Sequence, residues 1–290
     1  MQKIQRQISL SEPSKVAVFV GLAALIGVAF WAALTAYPCS FGGACSTLHS
    51  AIQNGTADSP WRYRILLGVI PGTTLAFAVV HGVALAMLYS ALYFYTRSFT
   101  PILLITAAIP PMFNASWGWV GLMTIVEATT WIVLLLLIKR RRDKLLLLIV
   151  LTFFAALNRE TAVFLSVLYF LVTQKVAPSA IMLGVSLVVF AGLRLMLGAA
   201  PDSVPIADAW RLNTAGGWNT VNAVINLTLL APVMLFGLMH RGAKVVRRAL
   251  WIAVFYLPMV VIFGLWNETR LLLPLLALVS LRINTGYSNE

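Results

Sequence analysis

Charged residues are scarce in this sequence, and acidic residues are the scarcest of them. Only 10% of the 290 residues are charged, with 9 acidic against 21 basic side chains, whereas 60% are hydrophobic and the mean hydropathy is +0.90. A soluble domain carries charge on about a quarter of its residues, so this composition excludes an ordinary soluble protein. Long apolar runs stand in place of the charges, and such runs predict membrane-spanning helices.

The sequence also lacks the motifs of nucleotide chemistry and of metal catalysis. It has no glycine-rich phosphate loop, no Gly-x-Ser-x-Gly and no His-Glu-x-x-His, and its three histidines have no metal-ligand spacing. We therefore predict no cofactor, and nothing in the sequence supports a divalent metal. The net charge of +12 would suggest nucleic acid in a soluble protein. Here the cations lie in short loops between apolar runs, so we predict no nucleic-acid partner.

Cysteine is almost absent. The only two, Cys39 and Cys45, both fall in the first polar loop. A small disulfide can form between them if that loop lies outside the cytosol, and two free thiols are the alternative.

The apolar run before the loop, residues 16–36, follows a basic start but is too long for the core of a signal peptide. It also lacks a small-x-small cleavage site, so we interpret it as a retained first span.

The basic residues predict how the chain crosses the membrane. Three apolar segments are interrupted, at residues 101–138, 145–172 and 250–281, and each can count as one span or as two. If each counts as two, there are about ten membrane segments, and 15 of the 21 Lys and Arg fall on one side. The excess of Lys and Arg in short cytoplasmic loops identifies that side as the cytosol. We therefore predict an all-α polytopic helical bundle that includes short, broken half-helices.

This topology makes residues 1–290 a single integral membrane domain with both termini in the cytosol. The cytosolic ends are residues 1–15 and 282–290, and the polar loops 37–64 and 198–218 lie on the outer side. Most of the acidic residues collect on that outer side as well. We therefore expect the protein to work from the non-cytosolic face.

Two polar interruptions of long apolar runs are the leading candidates for a functional site. The first interruption, at residues 158–161, follows thirteen apolar residues. As a helix these residues are only about 20 Å long, whereas the hydrocarbon core of a membrane is about 30 Å thick. The interruption therefore lies below the outer surface, where ionisable groups are costly and are functional candidates by default. The alternative is that adjacent Arg and Glu form buried salt bridges that only pin the half-helices. The candidate substrate-binding residues at the two breaks are Asn158, Arg159, Glu160, Asn267, Glu268 and Arg270.

The first outer loop carries a second candidate. One acid, Asp58, precedes two arginines that are two residues apart, with aromatic residues around them. Arginine binds phosphate through its planar fork, and aromatic rings suit sugar faces or the membrane interface. We take Arg62, Tyr63 and Arg64 as candidate substrate ligands. In the alternative interpretation, the arginines reach to lipid headgroups and Asp58 only pairs with them.

Glu127 is a lone acid in the middle of the predicted span 120–138. It could relay protons, or it could be neutral and bonded to a neighbouring helix. The sequence does not decide between these roles, so Glu127 is not among the predicted site residues.

The chain resembles multi-span glycosyltransferases of the GT-C type in three places. These are the position of Asp58, the run Trp61-Arg62-Tyr63-Arg64-Ile65-Leu66-Leu67 and the Asn-Arg-Glu-Thr break at residues 158–161. Members of that group place a catalytic acid in the first outer loop and use a polyprenyl-phosphate sugar on the extracytoplasmic side. The resemblance implies that Asp58 is the general base and that the arginines hold the departing phosphate. This chain is shorter, and no soluble outer domain follows its spans.

The implied function is that of a bacterial inner-membrane transferase. It would move a sugar from a polyprenyl-phosphate carrier to a glycan or lipid acceptor at the periplasmic face. Its partners would be the lipid-linked sugar donor, that acceptor and the surrounding membrane lipids. The rival is a secondary transporter or lipid flippase, because interrupted apolar segments in corresponding positions are typical of transport sites. A third interpretation is an assembly subunit whose charges only hold helices together. The outer-loop acid separates the first two, since only a transferase of this type needs it.

Overall fold

The described part of the chain is helical. The computed structural model describes residues 51, 54, 74–113, 121–198, 211, 218–239, 243–263 and 269–284, and these contain no strand. Numbered in chain order, the helices of these residues are α1 (Thr74–Thr96), α2 (Thr100–Phe113), α3 (Gly121–Lys139), α4 (Leu145–Asn158), α5 (Val163–Thr173), α6 (Val176–Leu197), α7 (Trp218–Met239), α8 (Lys244–Ala249), α9 (Ala253–Phe263) and α10 (Leu273–Ser280). Short 3₁₀ turns cover Glu160–Ala162, Leu250–Ile252, Thr269–Leu272 and Leu281–Asn284.

Four stretches of these helices are long and apolar enough to cross a membrane. By length and composition they are Val79–Thr96, Leu122–Lys139, Val176–Leu197 and Lys244–Ile262. Shorter apolar helices accompany them, including Leu145–Asn158. The all-helical, multi-pass character predicted from composition is therefore confirmed. The count of about ten segments stays a prediction.

Helix α3 lies at the centre of the described residues. It packs against α1, α4, α5 and α10. Its apolar window is 67% buried, against 17% for that of α6. Ile125, Ala128 and Trp131 of α3 are fully buried in the core. A polar side chain on α3 therefore faces other helices rather than lipid.

Helices α4 and α5 form a hairpin whose two open ends lie together. Asp143, just before α4, accepts hydrogen bonds from Tyr169 Oη at 2.8 Å and from Lys175 Nζ at 3.1 Å, near the end of α5. Helix α6 then runs back along both halves. With fourteen and eleven residues, neither half alone reaches across about 30 Å of hydrocarbon. The hairpin tip, residues 158–162, therefore lies partway through the bundle, as expected if this segment counts as two.

The basic segments meet at one end of the bundle. Lys139 Nζ donates to the Tyr95 carbonyl at 2.6 Å, which joins the ends of α3 and α1. Arg248 Nη1 donates to the Val172 carbonyl at 3.3 Å, which joins α8 to the end of α5. This grouping agrees with the pattern of Lys and Arg, whereas the membrane side on which it lies stays a prediction. The basic end, as we call it, comprises Arg97, Lys139, Arg140, Arg141, Arg142, Lys144, Lys175, Lys244, Arg247 and Arg248.

One helix begins earlier than the sequence predicts. An apolar run predicts a span at residues 181–197, whereas helix α6 in the structure begins at Val176. Pro178 lies in its first turn, where a missing N–H removes no intrahelical hydrogen bond. The apolar segment predicted at residues 101–113 is helix α2, Thr100–Phe113, which contains Pro110 and Pro111 in its last turn. The predicted first span, residues 16–36, and the two cysteines lie outside the described residues.

Candidate functional site

An ion pair joins the hairpin tip to the central helix. Arg159 Nη1 lies 3.1 Å from Glu127 Oε2, and the two side chains are only 11% and 4% exposed. The same nitrogen lies 3.4 Å from Thr124 Oγ1, one turn earlier on α3. A single buried charge is strongly destabilising, so a cation and an anion from different elements compensate each other here.

The backbone of the tip explains how Arg159 reaches α3. Helix α4 ends at Asn158, and Arg159 is extended (φ −158°, ψ 154°) before the 3₁₀ turn that follows. Asn158 is buried, and its Nδ2 donates to the Met123 carbonyl at 2.8 Å. Two consecutive side chains of the tip therefore bind the same part of α3, and the helix break is what brings both of them to it.

Two more side chains lie near the carboxyl group of Glu127, and a third contacts one of them. Thr161 of the tip and Tyr256 of α9 approach the carboxyl group closely enough to interact with it. Trp131 lies one turn further along α3, and its ring meets that of Tyr256 edge-on at 5.2 Å. Tyr256 donates its hydroxyl proton to the Leu271 carbonyl at 3.0 Å. The Glu127 cluster, as we call it, consists of Glu127, Trp131, Arg159, Thr161 and Tyr256.

Part of the cluster has no hydrogen-bond partner within the described residues. Glu127 Oε1, Thr161 Oγ1 and Trp131 Nε1 are each buried, and no group lies at hydrogen-bond distance and angle from them. An unpaired buried polar atom destabilises a protein by about 1–3 kcal/mol, and few occur in native structures. Three such atoms in one cluster therefore indicate that the cluster was not selected for stability alone.

The depth of the cluster can be measured along two helices. Glu127 precedes Lys139, at the basic end, by twelve residues of α3, or about 18 Å. Arg159 follows the fourteen residues of α4, which cover about 20 Å from the same end. The two values agree. If the basic end marks one edge of about 30 Å of hydrocarbon, the cluster lies slightly beyond the middle and roughly 10 Å below the opposite surface.

The backbone of the second break approaches the same central helix. The 3₁₀ turn Thr269–Leu272 packs against α2 and α3. It also accepts the hydrogen bond of Tyr256 through Leu271. The sequence predicts that the two breaks form one polar site, and that arrangement stays a prediction. Asn267, Glu268 and the side chain of Arg270 lie outside the described residues.

The candidate residues of the first outer loop cannot be placed in the same way. Asp58, Arg62, Tyr63 and Arg64 all lie outside the described residues. Whether they reach the Glu127 cluster therefore stays a prediction. Of the predicted substrate ligands, the structure brings Asn158 and Arg159 to α3, and it leaves Glu160 half-buried at the tip.

Glu127 is the functional candidate that the sequence did not assign. The adjacent Glu160 had been considered as the partner of Arg159, but the carboxylate that bonds to Arg159 at 3.1 Å belongs to Glu127, 32 residues earlier. One signal for it was present in the sequence. A lone acid inside one apolar span and an arginine inside another compensate each other best by pairing.

A second ion pair closes the other end of the hairpin. Lys175 Nζ lies 3.1 Å from Asp143 Oδ2, but these side chains are 56% and 16% exposed. Partial burial opposes ionisation of Asp143, yet hydrogen bonds from Tyr169 and Lys175 outweigh it and lower the pKa of Asp143 below its ordinary value. The hydrogen bond to Asp143 raises the pKa of Lys175. This pair belongs to the basic end and provides an exposed counterpart to the buried one.

No three His, Cys, Asp or Glu side chains lie close enough together to hold a metal ion in the part of the chain that the structure describes.

Comparison of the chain with known protein families, with curated proteins and with solved structures gave no match. The function must therefore be argued from the Glu127 cluster and from the sequence.

Proposed function

We propose that this protein is a membrane transferase of the GT-C type, which moves a sugar from a polyprenyl-phosphate carrier to a glycan or lipid acceptor. The observation that carries the proposal is the buried Arg159–Glu127 pair, 11% and 4% exposed. Ionisable groups at membrane depth are costly and usually serve a substrate. A guanidinium group matches the oxygens of a phosphate, and Arg159 is the cation of this cluster.

Glu127 prepares Arg159 for this task. The bond of 3.1 Å and the contact with Thr124 hold the guanidinium group in one position before any substrate arrives. A charge that is already oriented in a low-dielectric site stabilises developing charge without reorganising. The role of an orienting acid, which the sequence assigned to Glu160, therefore also belongs to Glu127.

In the proposed reaction, Asp58 is the general base. It takes the proton of an acceptor hydroxyl group, whose oxygen attacks the anomeric carbon of the donor sugar. The bond between that carbon and the phosphate oxygen breaks, and its electron pair leaves with polyprenyl phosphate. Arg159 stabilises the charge on this leaving group. The proton stays on Asp58 until it is passed to solvent.

Other residues of the two breaks and of the outer loop complete the proposed site. A phosphate needs more positive charge than one paired arginine supplies, so further cations belong beside Arg159. The second acid of each break orients these cations or binds acceptor hydroxyl groups. The residues proposed for these roles are Arg62, Tyr63, Arg64, Asn158, Glu160, Asn267, Glu268 and Arg270.

A secondary transporter or lipid flippase is the second candidate, and the depth of the cluster favours it. Transport sites lie near the middle of the membrane, where half-helices meet. The α4–α5 hairpin has such a tip, and Glu127 lies about 18 Å from the basic end of a core of about 30 Å. The depth of the cluster thus favours the transporter, whereas the outer-loop acid Asp58 favours the transferase, so a chemical assay must separate them.

The test uses the purified full-length protein in proteoliposomes that contain glucosyl, galactosyl or mannosyl polyprenyl phosphate and a lipid extract as acceptor. Release of free polyprenyl phosphate is measured by mass spectrometry. We expect Asp58→Asn and Arg159→Lys each to lower the rate by about 10²-fold or more, because each removes a group that acts in the transition state. Lys175→Arg, a cation exchange at the exposed pair, serves as the matched control and should keep the rate.

Equal release by the wild type and by Asp58→Asn would refute the transferase. The transporter is tested in the same vesicles by following the movement of labelled lipid from one leaflet to the other. Movement of unaltered lipid that depends on Arg159, without release of polyprenyl phosphate, would replace the first proposal by the second.

A further inference from the structure

We infer that Glu127 Oε1, Thr161 Oγ1 and Trp131 Nε1 form the subsite that binds the hydroxyl groups of the donor sugar. Each of these atoms of the Glu127 cluster is buried and makes no hydrogen bond within the described residues. The inference rests on the proposed function, since it names the part of the donor that this cluster holds.

The chemistry of the three atoms selects the ligand. A carboxylate oxygen only accepts hydrogen bonds, an indole N–H only donates, and a threonine hydroxyl group does both. A hydroxyl group of a ligand can both donate to Glu127 and accept from Trp131. A phosphate offers acceptors alone at neutral pH and would be repelled by the carboxylate. The ligand at these atoms is therefore neutral and rich in hydroxyl groups, while phosphate belongs beside Arg159.

The surrounding rings fit the same ligand. Glu127 and Trp131 are four residues apart and lie on one face of α3. The ring of Tyr256 contacts Trp131 and Phe164, each at 5.2 Å between centroids and nearly edge-on. Aromatic side chains combine apolar surface with polar handles. A sugar ring has the matching combination of C–H faces and hydroxyl edges.

The two halves of the Glu127 carboxylate explain how one donor molecule is held. Oε2 bonds to Arg159, the proposed phosphate ligand, and Oε1 is buried without a hydrogen bond within the described residues. The phosphate and the sugar of the donor are joined through one oxygen atom, so their binding groups must be neighbours. A single carboxylate between them meets this requirement.

Thr161 allows the subsite to be tested without disturbing the fold. Thr161→Val keeps the shape of the side chain and removes a hydroxyl group that lies near Glu127 but makes no hydrogen bond of good geometry within the described residues. Thr152 on α4 is the matched control, because it is a buried threonine of the same hairpin whose Oγ1 donates to the Leu148 carbonyl at 2.7 Å. Because its proton is already bonded to that carbonyl, the Thr152 hydroxyl group cannot donate to a ligand without breaking this bond. Trp131→Phe removes the third atom of the subsite while it keeps an aromatic ring.

The experiment measures equilibrium binding of bare polyprenyl phosphate and of its glucosyl, galactosyl and mannosyl esters to the full-length protein in nanodiscs. We expect the wild type to bind at least one sugar ester more tightly than the bare carrier. Thr161→Val and Trp131→Phe should each reduce that preference about fivefold, the equivalent of one hydrogen bond, and leave binding of the bare carrier unchanged. Thr152→Val should keep the preference. The melting temperature of Thr161→Val should stay close to that of the wild type, because the Thr161 hydroxyl group makes no hydrogen bond of good geometry within the described residues.

Three other results would count against the inference. A wild-type protein that binds the bare carrier and every sugar ester equally has no sugar subsite. A sugar preference that survives both Thr161→Val and Trp131→Phe places that subsite elsewhere while leaving the proposed transferase intact. Absence of binding by all four lipids refutes the proposed function itself, and the inference with it.

Discussion

Removing one partner of the Arg159–Glu127 pair should destabilise the protein far more than removing one partner of the Asp143–Lys175 pair. The N–O distance is 3.1 Å in both pairs, and both involve the α4–α5 hairpin. They differ in burial, because the first pair is 11% and 4% exposed and the second 56% and 16%. A comparison of the two therefore isolates the effect of burial on an ion pair.

The expected magnitudes follow from the surroundings of each pair. Loss of one partner from a buried pair leaves an uncompensated charge and costs about 3–5 kcal/mol. Replacing both partners by apolar groups of similar size is often neutral or stabilising. An exposed pair contributes only about 0–1 kcal/mol, because water already screens both charges. The coupling free energy should thus be at least about 3 kcal/mol for the first pair and below about 1 kcal/mol for the second.

The measurement is a double-mutant cycle for each pair, with unfolding of the purified proteins followed in detergent micelles. Arg159→Met and Glu127→Leu preserve much of the side-chain volume, and they are combined in the double variant. Asp143→Ala and Lys175→Ala form the control cycle. We expect both single variants of the buried pair to be poorly stable, and the double variant to recover most of the wild-type stability.

The result also bears on function. Under the alternative that the buried pair is only structural, the double variant should recover both folding and activity. Under the proposed function it should fold and stay inactive, since it has lost its phosphate ligand. Additive losses in the double variant, without recovery, would show that the pair does not compensate two buried charges, and the account of the hairpin tip given above would be wrong.

Three further predictions concern other parts of the chain. Reporter fusions after Arg142 and after Lys244 should lie on the same side of the membrane, and a fusion at Asp208 on the opposite side; opposite sides for the first two would exclude the ten-segment topology. Arg64→Lys should lower polyprenyl-phosphate release without affecting membrane insertion, since an ammonium group lacks the bidentate fork, and unchanged release would favour a headgroup anchor. Because the pKa of Asp143 is lowered in the folded protein, its contribution to stability should be present above its ordinary pKa of about 4 and be lost as the pH falls through the folded value. Thermal unfolding between pH 6 and pH 3 should therefore show a smaller loss of stability for Asp143→Asn than for the wild type. The difference between the two losses should be below about 1 kcal/mol, and an equal loss in both proteins would contradict this prediction.

Much of the helical framework was predictable from the sequence because it depends on local patterns. The half-helix predicted at residues 145–157 is Leu145–Asn158 in the structure, and that predicted at 162–172 is Val163–Thr173. Apolar run length and the polar tetrapeptide between the runs fix these limits without reference to the rest of the fold. The meeting of the basic segments at one end follows in the same way from the spacing of Lys and Arg.

The composition of the cluster was not predictable by the same means. Glu127 and Arg159 are 32 residues apart, and Tyr256 lies almost a hundred residues beyond Arg159. Their contact depends on how α3, the hairpin tip and α9 pack, which helical periodicity does not encode. The sequence left the role of the acid at position 127 open between a proton relay and a neutral group bonded to a neighbouring helix, and it contains several arginines with no means of choosing between them as partners.

The pairing of Glu127 with Arg159 also constrains any phosphate site built on it. Together the two side chains carry no net charge, so they cannot by themselves balance the negative charge that a polyprenyl-phosphate sugar brings into a medium of low dielectric constant. A transferase of the proposed type therefore requires at least one more cation at the cluster. The backbone of Thr269–Leu272 already lies against α3, which makes Arg270 one source, and the outer loop offers Arg62 and Arg64 as others. A transporter of an uncharged substrate needs none of these arginines, whereas a flippase of the phosphorylated donor needs them as the transferase does. Independence of all three arginines would therefore count against the transferase and against such a flippase, and in favour of a transporter of an uncharged substrate.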